Sequence, residues 1–384
     1  MKEEISNAPI PVFDVNQPPV EFRDLIEDVM ENFEQGVPAN SKRARDADLA
    51  VYTAWGKNVY GSNFKAIPSS PEHIERFLND MSVEITETIS TKNINGELVD
   101  KTIKHRLKAL STIERYLASL SYKNKLYLDA IMDITNNYQL SSGFVNPASV
   151  RRVKAALQKV RALYRDNSQK QAQPFNLHLI EDVISLHDGS LRDKLEITLL
   201  SFAFDTMMRC SELVRVNIED LVFDPISLDG VVELHWSKTD QEGKGQTRYL
   251  SPTTVTLLKE YLQESNITSG RLFRSVSKNN TQLEAMHKDR VGVIFKRLGR
   301  RLASFYSEDP KNKLLSQKQI EPTEISAHST RVAAAQALAL NGASTVQLMN
   351  EGGWKSAVMP ARYSRHAETK KGAMAQLHKR NQVI

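Results

Sequence analysis

The chain has 384 residues, with 51 Lys and Arg against 46 Asp and Glu; at roughly 150 residues per domain, that length predicts two to three domains, each able to bury a core without disulfide or metal staples. The single cysteine, Cys210, excludes an intrachain disulfide and a zinc site built on thiolates. The longest apolar stretch, around Ile197 to Phe204, falls far short of the ~18 residues of a membrane span, and MKEEISNAPIPVFDV lacks an apolar signal core, so the expectation is a soluble protein of the bacterial cytosol.

The net charge of +5 hides an uneven distribution. Residues 1–40 hold two basic and nine acidic side chains, so the body from residue 41 carries +12. Pro9, Pro11, Pro18 and Pro19 mark an extended or disordered tail, and an acidic amphipathic helix follows from Glu21 to Glu34, stopping near Gly36. From Ser41 to about Tyr164 the pattern is helical, with segments near 43–60, 71–90, 99–120, 122–138 and 147–165. Two windows of this domain are strongly basic, +4 over 101–120 and +6 over 151–170. One such window is ordinarily a solvated helix face, whereas two in one small domain point to a phosphate-binding surface.

Asp166 to Gln173, closed by Pro174, reads as a linker into a second domain. There a helix is predicted over 191–216, followed by short strands at 221–223, 231–236 and 247–251 joined by Asp-Gly and Gly-Lys-Gly turns. The fold class is therefore mainly α with a small antiparallel β-sheet. Helices resume near 253–265, and Val291, Ile294, Phe295, Leu298 and Leu302 then form an apolar stripe with Arg290, Lys296, Arg297, Arg300 and Arg301 off it. That arrangement suits a helix docked on DNA and equally a surface helix with solvated arginines.

Five features could carry chemistry, and each alone has an ordinary explanation. Arg209 and Glu212 are spaced for a same-face ion pair, which is structural in most helices. Lys238 opens a hairpin turn, where lysines are usually solvated. His328 and Arg331 form an H-x-x-R pair in the first turn of a helix from Ser329 to Leu340, on one face and near backbone N–H groups that favour an anion. Trp354 follows Gly352 and Gly353, and Tyr363 lies between Arg362 and Arg365; both residue types are commonly core.

Together they converge on one chemistry. Two arginines can clamp the non-bridging oxygens of a phosphodiester, supplying the charge stabilisation that other phosphoryl-transfer enzymes take from Mg²⁺. A tyrosine hydroxyl, with an unperturbed pKa near ~10, needs cationic surroundings and a base such as His328 to attack. A lysine on a hairpin can protonate the leaving 5′ oxygen. The sequence has no H-E-x-x-H, C-x-x-C, G-x-S-x-G or Walker-type motif, so neither a metal nor ATP nor another cofactor is expected.

The run AHSTRVAAAQALALNGASTVQLMNEGGWKSAVMPARYSRH resembles the C-terminal signature of the tyrosine recombinases, most closely that of their Cre-like phage and plasmid branch. His328 and Arg331 precede Trp354 by the family's interval, 23 positions from Arg331, and Tyr363 follows 9 positions later. Upstream, FDTMMRCSELVRVNIEDL resembles the first-arginine box and HWSKTDQEGKGQTRYLS the lysine hairpin. The resemblance, which begins at about residue 41, implies a two-domain clamp around duplex DNA: a helical core-binding domain at 41–165 and a catalytic domain at 175–384, joined by the linker at 166–174 and preceded by the acidic, partly disordered N-terminal extension at 1–40. It implies that Arg209 and Arg331 bind the scissile phosphate, that His328 and Lys238 handle protons and that Glu212 supports the site. Trp354, at a position where many relatives carry His, would hydrogen-bond a phosphate oxygen, and Tyr363 would form a covalent 3′-phosphotyrosine. It also implies a C-terminal helix donated to a neighbour within a homo-tetramer on two DNA sites, each with inverted half-sites.

The basic windows nominate Lys42, Arg43, Lys101, Lys104, Arg106, Lys108, Arg151, Arg152, Lys154, Lys288, Arg290 and Lys296 for DNA contact. Two alternatives stay open at this point: a telomere resolvase or type IB topoisomerase with the same nucleophile, and a sequence-specific DNA-binding protein that keeps the fold without turnover. Residues 1–40 have no counterpart in the resemblance, and they are expected to form either a solvated arm or a regulatory segment competing with DNA for the basic channel.

Overall fold

The computed structural model describes residues 12–14, 18–83, 85–92, 98–105, 108–135, 139–140, 145–165, 171–235, 245–308, 320–372, 374–375 and 377–378. The chain divides into two compact units, Met1–Gln169 and Lys170–Ile384.

In the first unit, a two-residue strand β1 (Val12–Phe13) precedes helices α1 (Val20–Phe33), α2 (Ala39–Tyr60) and α3 (Pro71–Met81). The start of α3 is set by Ser70, whose side chain accepts from the His73 N–H, with Pro71 in the first turn. A hairpin of β2 (Ile85–Lys92) and β3 (Leu98–His105) follows, then α4 (Leu110–Ile134), β4 (Gln139–Leu140), which pairs in parallel with β1, and α5 (Arg151–Leu163). The core is built by Tyr52 of α2, Ile74, Phe77 and Leu78 of α3, Ile113 and Leu120 of α4, and Val153 and Val160 of α5, each essentially solvent-free. Helix α1 closes onto the other end of α4 through Ile26 against Tyr127, Ala130 and Ile131. Lys123, buried in α4, reaches Glu34 and Asp46 at 2.8 Å each, so part of the acidic N-terminal segment neutralises a buried lysine.

Two of the expected helices are corrected here. The segment expected to be helical over 71–90 ends at Met81, and residues 85–92 form a strand. The segment expected over 99–120 begins as a strand at Leu98–His105, and its helix starts only at Leu110 and runs unbroken through the expected boundary near 121. The run ITETISTK is rich in β-branched Ile and Thr, a composition that favours a pleated strand over a helix.

The second unit opens with α6 (Leu177–Ser185) and α7 (Leu191–Thr206), the latter buried nearly all round. The helix expected to continue to 216 stops because Met207 adopts the left-handed conformation (φ 50°, ψ 26°), and only a short turn of helix, α8 (Cys210–Leu213), resumes beyond it. An antiparallel sheet of order β5 (Leu221–Phe223), β6 (Gly230–Leu234) and β7 (Gln246–Leu250) follows, close to the expected strands. Helix α9 (Pro252–Ser265), a hairpin of β8 (Arg274–Val276) and β9 (Gln282–Ala285) absent from the sequence reading, and α10 (Lys288–Glu308) come next. The chain ends in α11 (Ser329–Leu340), α12 (Thr345–Gly352) and α13 (Val358–Lys371). Leu199, Leu200 and Phe202 of α7, Leu258 and Tyr261 of α9, Phe273, and Val291, Phe295 and Leu302 of α10 form one core. The mainly α class holds, and apart from the two-residue parallel pair of β1 and β4 the sheets among the described residues are antiparallel.

Candidate active site

The site grows from the left-handed break at Met207. A non-glycine residue in that conformation costs of order 1 kcal/mol, and here the strain turns the Met207 carbonyl toward α11, where it accepts from Arg331 Nη1. Arg331 Nη2 donates to the Gly352 carbonyl at 2.8 Å, and the guanidinium lies 5.1 Å from the centre of the Trp354 ring. Arg331 is only 3% exposed, and its charge is held by carbonyls and an aromatic face with no carboxylate bonded to it among the described residues. Burial, then the neighbouring Arg209, pushes its pKa down to about 10.

Arg209 sits at the start of α8. Its Nη1 donates to Glu212 Oε1 at 2.9 Å and its Nη2 to the Gly353 carbonyl at 3.3 Å, while the other Glu212 oxygen accepts from the Arg209 backbone N–H at 2.8 Å. Buried Glu212 thus fixes both the backbone and the guanidinium of Arg209. The successive carbonyls of Gly352 and Gly353 each hold one arginine. That double use depends on the turn ending α12, where Gly353 takes the left-handed cap position (φ 60°, ψ 42°).

Tyr363, on α13, packs with Trp354 against Met207, Ala334 and Ala335, and the two rings lie 5.7 Å apart at 49°. Ala334 and Ala335 are small enough to let the rings rest on α11. His328, which precedes α11, keeps a solvent-exposed face. Desolvation, then the charges of Arg331 and Arg209, lowers its pKa from the ordinary histidine value, so it is neutral at pH 7 and able to accept a proton. Arg209, Glu212, His328, Arg331, Trp354 and Tyr363 therefore form one constellation. Lys238 lies outside the described residues.

Sequence reasoning missed three parts of this site. The carbonyl of Met207 gave no side-chain signal, whereas the Gly352-Gly353 pair did, as a backbone able to approach closely. Arg248 of β7 is the third: it carries an inward-facing charge beside Arg209 and Arg331, and the period-two alternation ending at Leu250 could have placed it.

The nominated DNA contacts are spread over both units. On α5, Arg151 and Lys154 are exposed and form no ion pair among the described residues, whereas Arg152 bridges Glu72 at 2.8 Å and Glu75. Lys42 lies 3.8 Å from Glu34, Arg43 donates to Asn40, and exposed Lys108 lends its carbonyl to Tyr164. Lys101 and Lys104 belong to β3, in register with Ile89 and Thr86 of β2, and not to the helix expected there. Arg106 lies outside the described residues. Lys288 and Arg290 are exposed at the start of α10, and Lys296 is half-buried. The cationic front read on α10 is corrected in part: Arg297 pairs with Glu196 and Arg301 with Asp193 at 2.6 Å, which pins α10 to α7.

The Phage integrase family matches residues 177–370, half of the chain, and spans every part of the constellation. The chain belongs to that family. Its relatives include the recombinase Cre of Escherichia phage P1, 23% identical over 343 residues that cover 86% of this chain and 85% of Cre. An integrase/recombinase XerD homolog of Selenomonas ruminantium is 26% identical over 258 residues, covering 64% and 63% of the two chains. Among solved structures, the Tn1549 transposon integrase in complex with transposon right end DNA has a TM-score of 0.57 at 14% identity, covering 91% of this chain and 98% of that one. The XerH site-specific recombinase bound to a palindromic difH substrate also has a TM-score of 0.57, at 13% identity, covering 92% and 84%. At those identities the structural likeness concerns the fold. As a phage integrase family member, the protein is a tyrosine-type recombinase and an enzyme. No helix among the described residues is long and apolar enough to cross a membrane.

Proposed function

We propose that this tyrosine recombinase is a site-specific enzyme that cuts and rejoins duplex DNA through a covalent 3′-phosphotyrosine on Tyr363. The observation that carries the reading is the pair of guanidiniums, Arg331 buried and Arg209 locked by Glu212, set beside the Trp354–Tyr363 ring pair. Two neighbouring cations, one of them desolvated, cost free energy in the free protein, and a bound phosphodiester offsets that cost. The DNA-bound structures of similar proteins support duplex DNA as the partner.

In this reading Arg209 and Arg331 hold the non-bridging oxygens, and Trp354 adds its indole N–H. Neutral His328 accepts the Tyr363 proton as Oη attacks phosphorus, and Lys238 gives a proton to the 5′ oxygen as its bond to phosphorus breaks. The new bond is again a phosphate ester, so attack by the 5′-hydroxyl of a partner strand reverses the step and releases Tyr363 at little net change in free energy. A homo-tetramer on two inverted-repeat sites fits this exchange, with the segment after Tyr363 reaching a neighbour. The test is a plasmid carrying two copies of the site selected by this protein from a random DNA pool. Recombined products are expected; hairpin ends or relaxation alone would overturn the site-specific reading in favour of a resolvase or topoisomerase.

A further inference from the structure

The sheet holds a third guanidinium within electrostatic reach of Arg209 and Arg331. Along β7, burial alternates so that Gln246, Arg248 and Leu250 face inward while Thr247 and Tyr249 face solvent. Arg248 pairs in register with Val232, which is fully buried on β6. An arginine at an inward position of a small sheet would normally be matched by a carboxylate. Here Arg248 donates to the Gln246 side chain at 2.6 Å and to the Thr247 carbonyl at 3.4 Å. Among the described residues no carboxylate forms an ion pair with it.

Its electrostatic neighbours sharpen the point. Glu351 and Glu212 favour its charge and Arg209 opposes it, and Arg331 in turn feels Arg248 as a like charge. Glu212 is already bonded to Arg209. Desolvation is the largest influence on Arg248 and disfavours its cation. A half-buried guanidinium held by neutral groups beside two other guanidiniums is destabilising in the free protein and becomes favourable when an anion enters.

We infer that Arg248 is a third phosphate-binding arginine, joining Arg209 and Arg331 on the scissile phosphate. The inference rests on the phosphodiester reading of the site and adds to it a residue on β7.

The test compares Arg248→Met and Arg248→Lys, which keep the length of the side chain and differ in charge, in single-turnover cleavage of a nicked duplex of the selected site at saturating protein. Loss of an oriented cation from a transition state predicts a fall on the order of 10²-fold for the methionine variant and less than about tenfold for the lysine variant, with unchanged melting temperatures. Methionine at this site cleaving within about threefold of the wild type, or equal impairment of both variants, would overturn the inference, the second outcome pointing to shape in place of charge. If the methionine variant fails to fold, Arg248→Gln, which retains an amide beside Gln246, is judged by the same thresholds. Absence of any covalent product from the wild-type protein would instead remove the phosphodiester reading itself, so the two failures are distinguishable.

Discussion

Gly352 lies directly beneath the indole of Trp354, so close that a Cβ on the glycine would overlap the six-membered part of the ring. The same glycine accepts from Arg331 through its carbonyl. Its lack of a side chain therefore sets the position of an arginine and of an aromatic ring at once. Gly352→Ala must displace Trp354, and with it the surface on which Tyr363 rests. Overpacking of this kind costs about 1–3 kcal/mol. A lower melting temperature and slower strand cleavage are expected, with affinity for intact duplex largely preserved; a variant that cleaves at the wild-type rate would show that the ring position is irrelevant to turnover.

The two basic helices separate into cations that are free for DNA and cations that hold the protein together. On α5, neutralising Arg151 or Lys154 should each lower the slope of log affinity against log salt by about one. Arg152 is engaged by Glu72 and Glu75, and those bonds must be given up before it can meet a phosphate. Arg152→Ala should therefore change the slope by less than either neighbour. Binding titrations across a salt series check the ranking, and equal slopes for all three variants would contradict it.

Arg301 is the contrasting case. Asp193 is 8% exposed and relies on it, while Arg301 itself keeps 29% of its side chain in solvent. Arg301→Ala should destabilise the second unit by about 2 kcal/mol, below the ~3–5 kcal/mol of a fully buried pair because of that exposure. Denaturant unfolding measures the loss. The salt slope of DNA binding should stay put, and a fall by a full phosphate contact would return Arg301 to the DNA surface.

His328 gives the protein a pH dependence with a definite sign. In the folded state its pKa is lowered, so the unfolded chain binds the proton first, near the ordinary value of ~6.5. Stability attributable to this group is intact above that pH, falls as the pH drops below it, and is fully lost once the pH passes the lowered folded value. Thermal melts between pH 8 and pH 5 should therefore show a steeper acid-side decline for the wild type than for His328→Gln. Parallel curves would mean that the histidine is not perturbed by the arginines beside it.

The legible parts of this site were those in which chemistry is written in side chains at fixed spacing. Arg209 with Glu212, His328 with Arg331, and Trp354 with Tyr363 could be read as pairs because helix geometry and motif order constrain them, and the structure gathers them around one point. The helix from Ser329 to Leu340 was equally plain, bounded by its first-turn pair and by Gly342. Backbone decisions were not legible. Nothing in the apolar run of α7 shows that Met207 will turn left-handed and offer its carbonyl to Arg331. The β2–β3 hairpin is hidden in the sequence because the basic residues of 101–108 run without a break signal into the helix that follows them. The roles of Arg297 and Arg301 were misread for a related reason: a helix projection shows which residues leave the apolar stripe but not that Glu196 and Asp193 of α7 wait for two of them.

Covalent trapping bears most directly on the central claim, that Tyr363 attacks a phosphate held by Arg209 and Arg331. A nicked suicide duplex of the selected site is incubated with the wild type and with Tyr363→Phe, and any adduct is digested and mapped by mass spectrometry. The account predicts a DNA-linked peptide containing Tyr363, joined through a 3′-phosphate, and no adduct from the phenylalanine variant despite duplex binding of similar strength. Tight binding without an adduct from the wild type, or an adduct on any other residue, would contradict it.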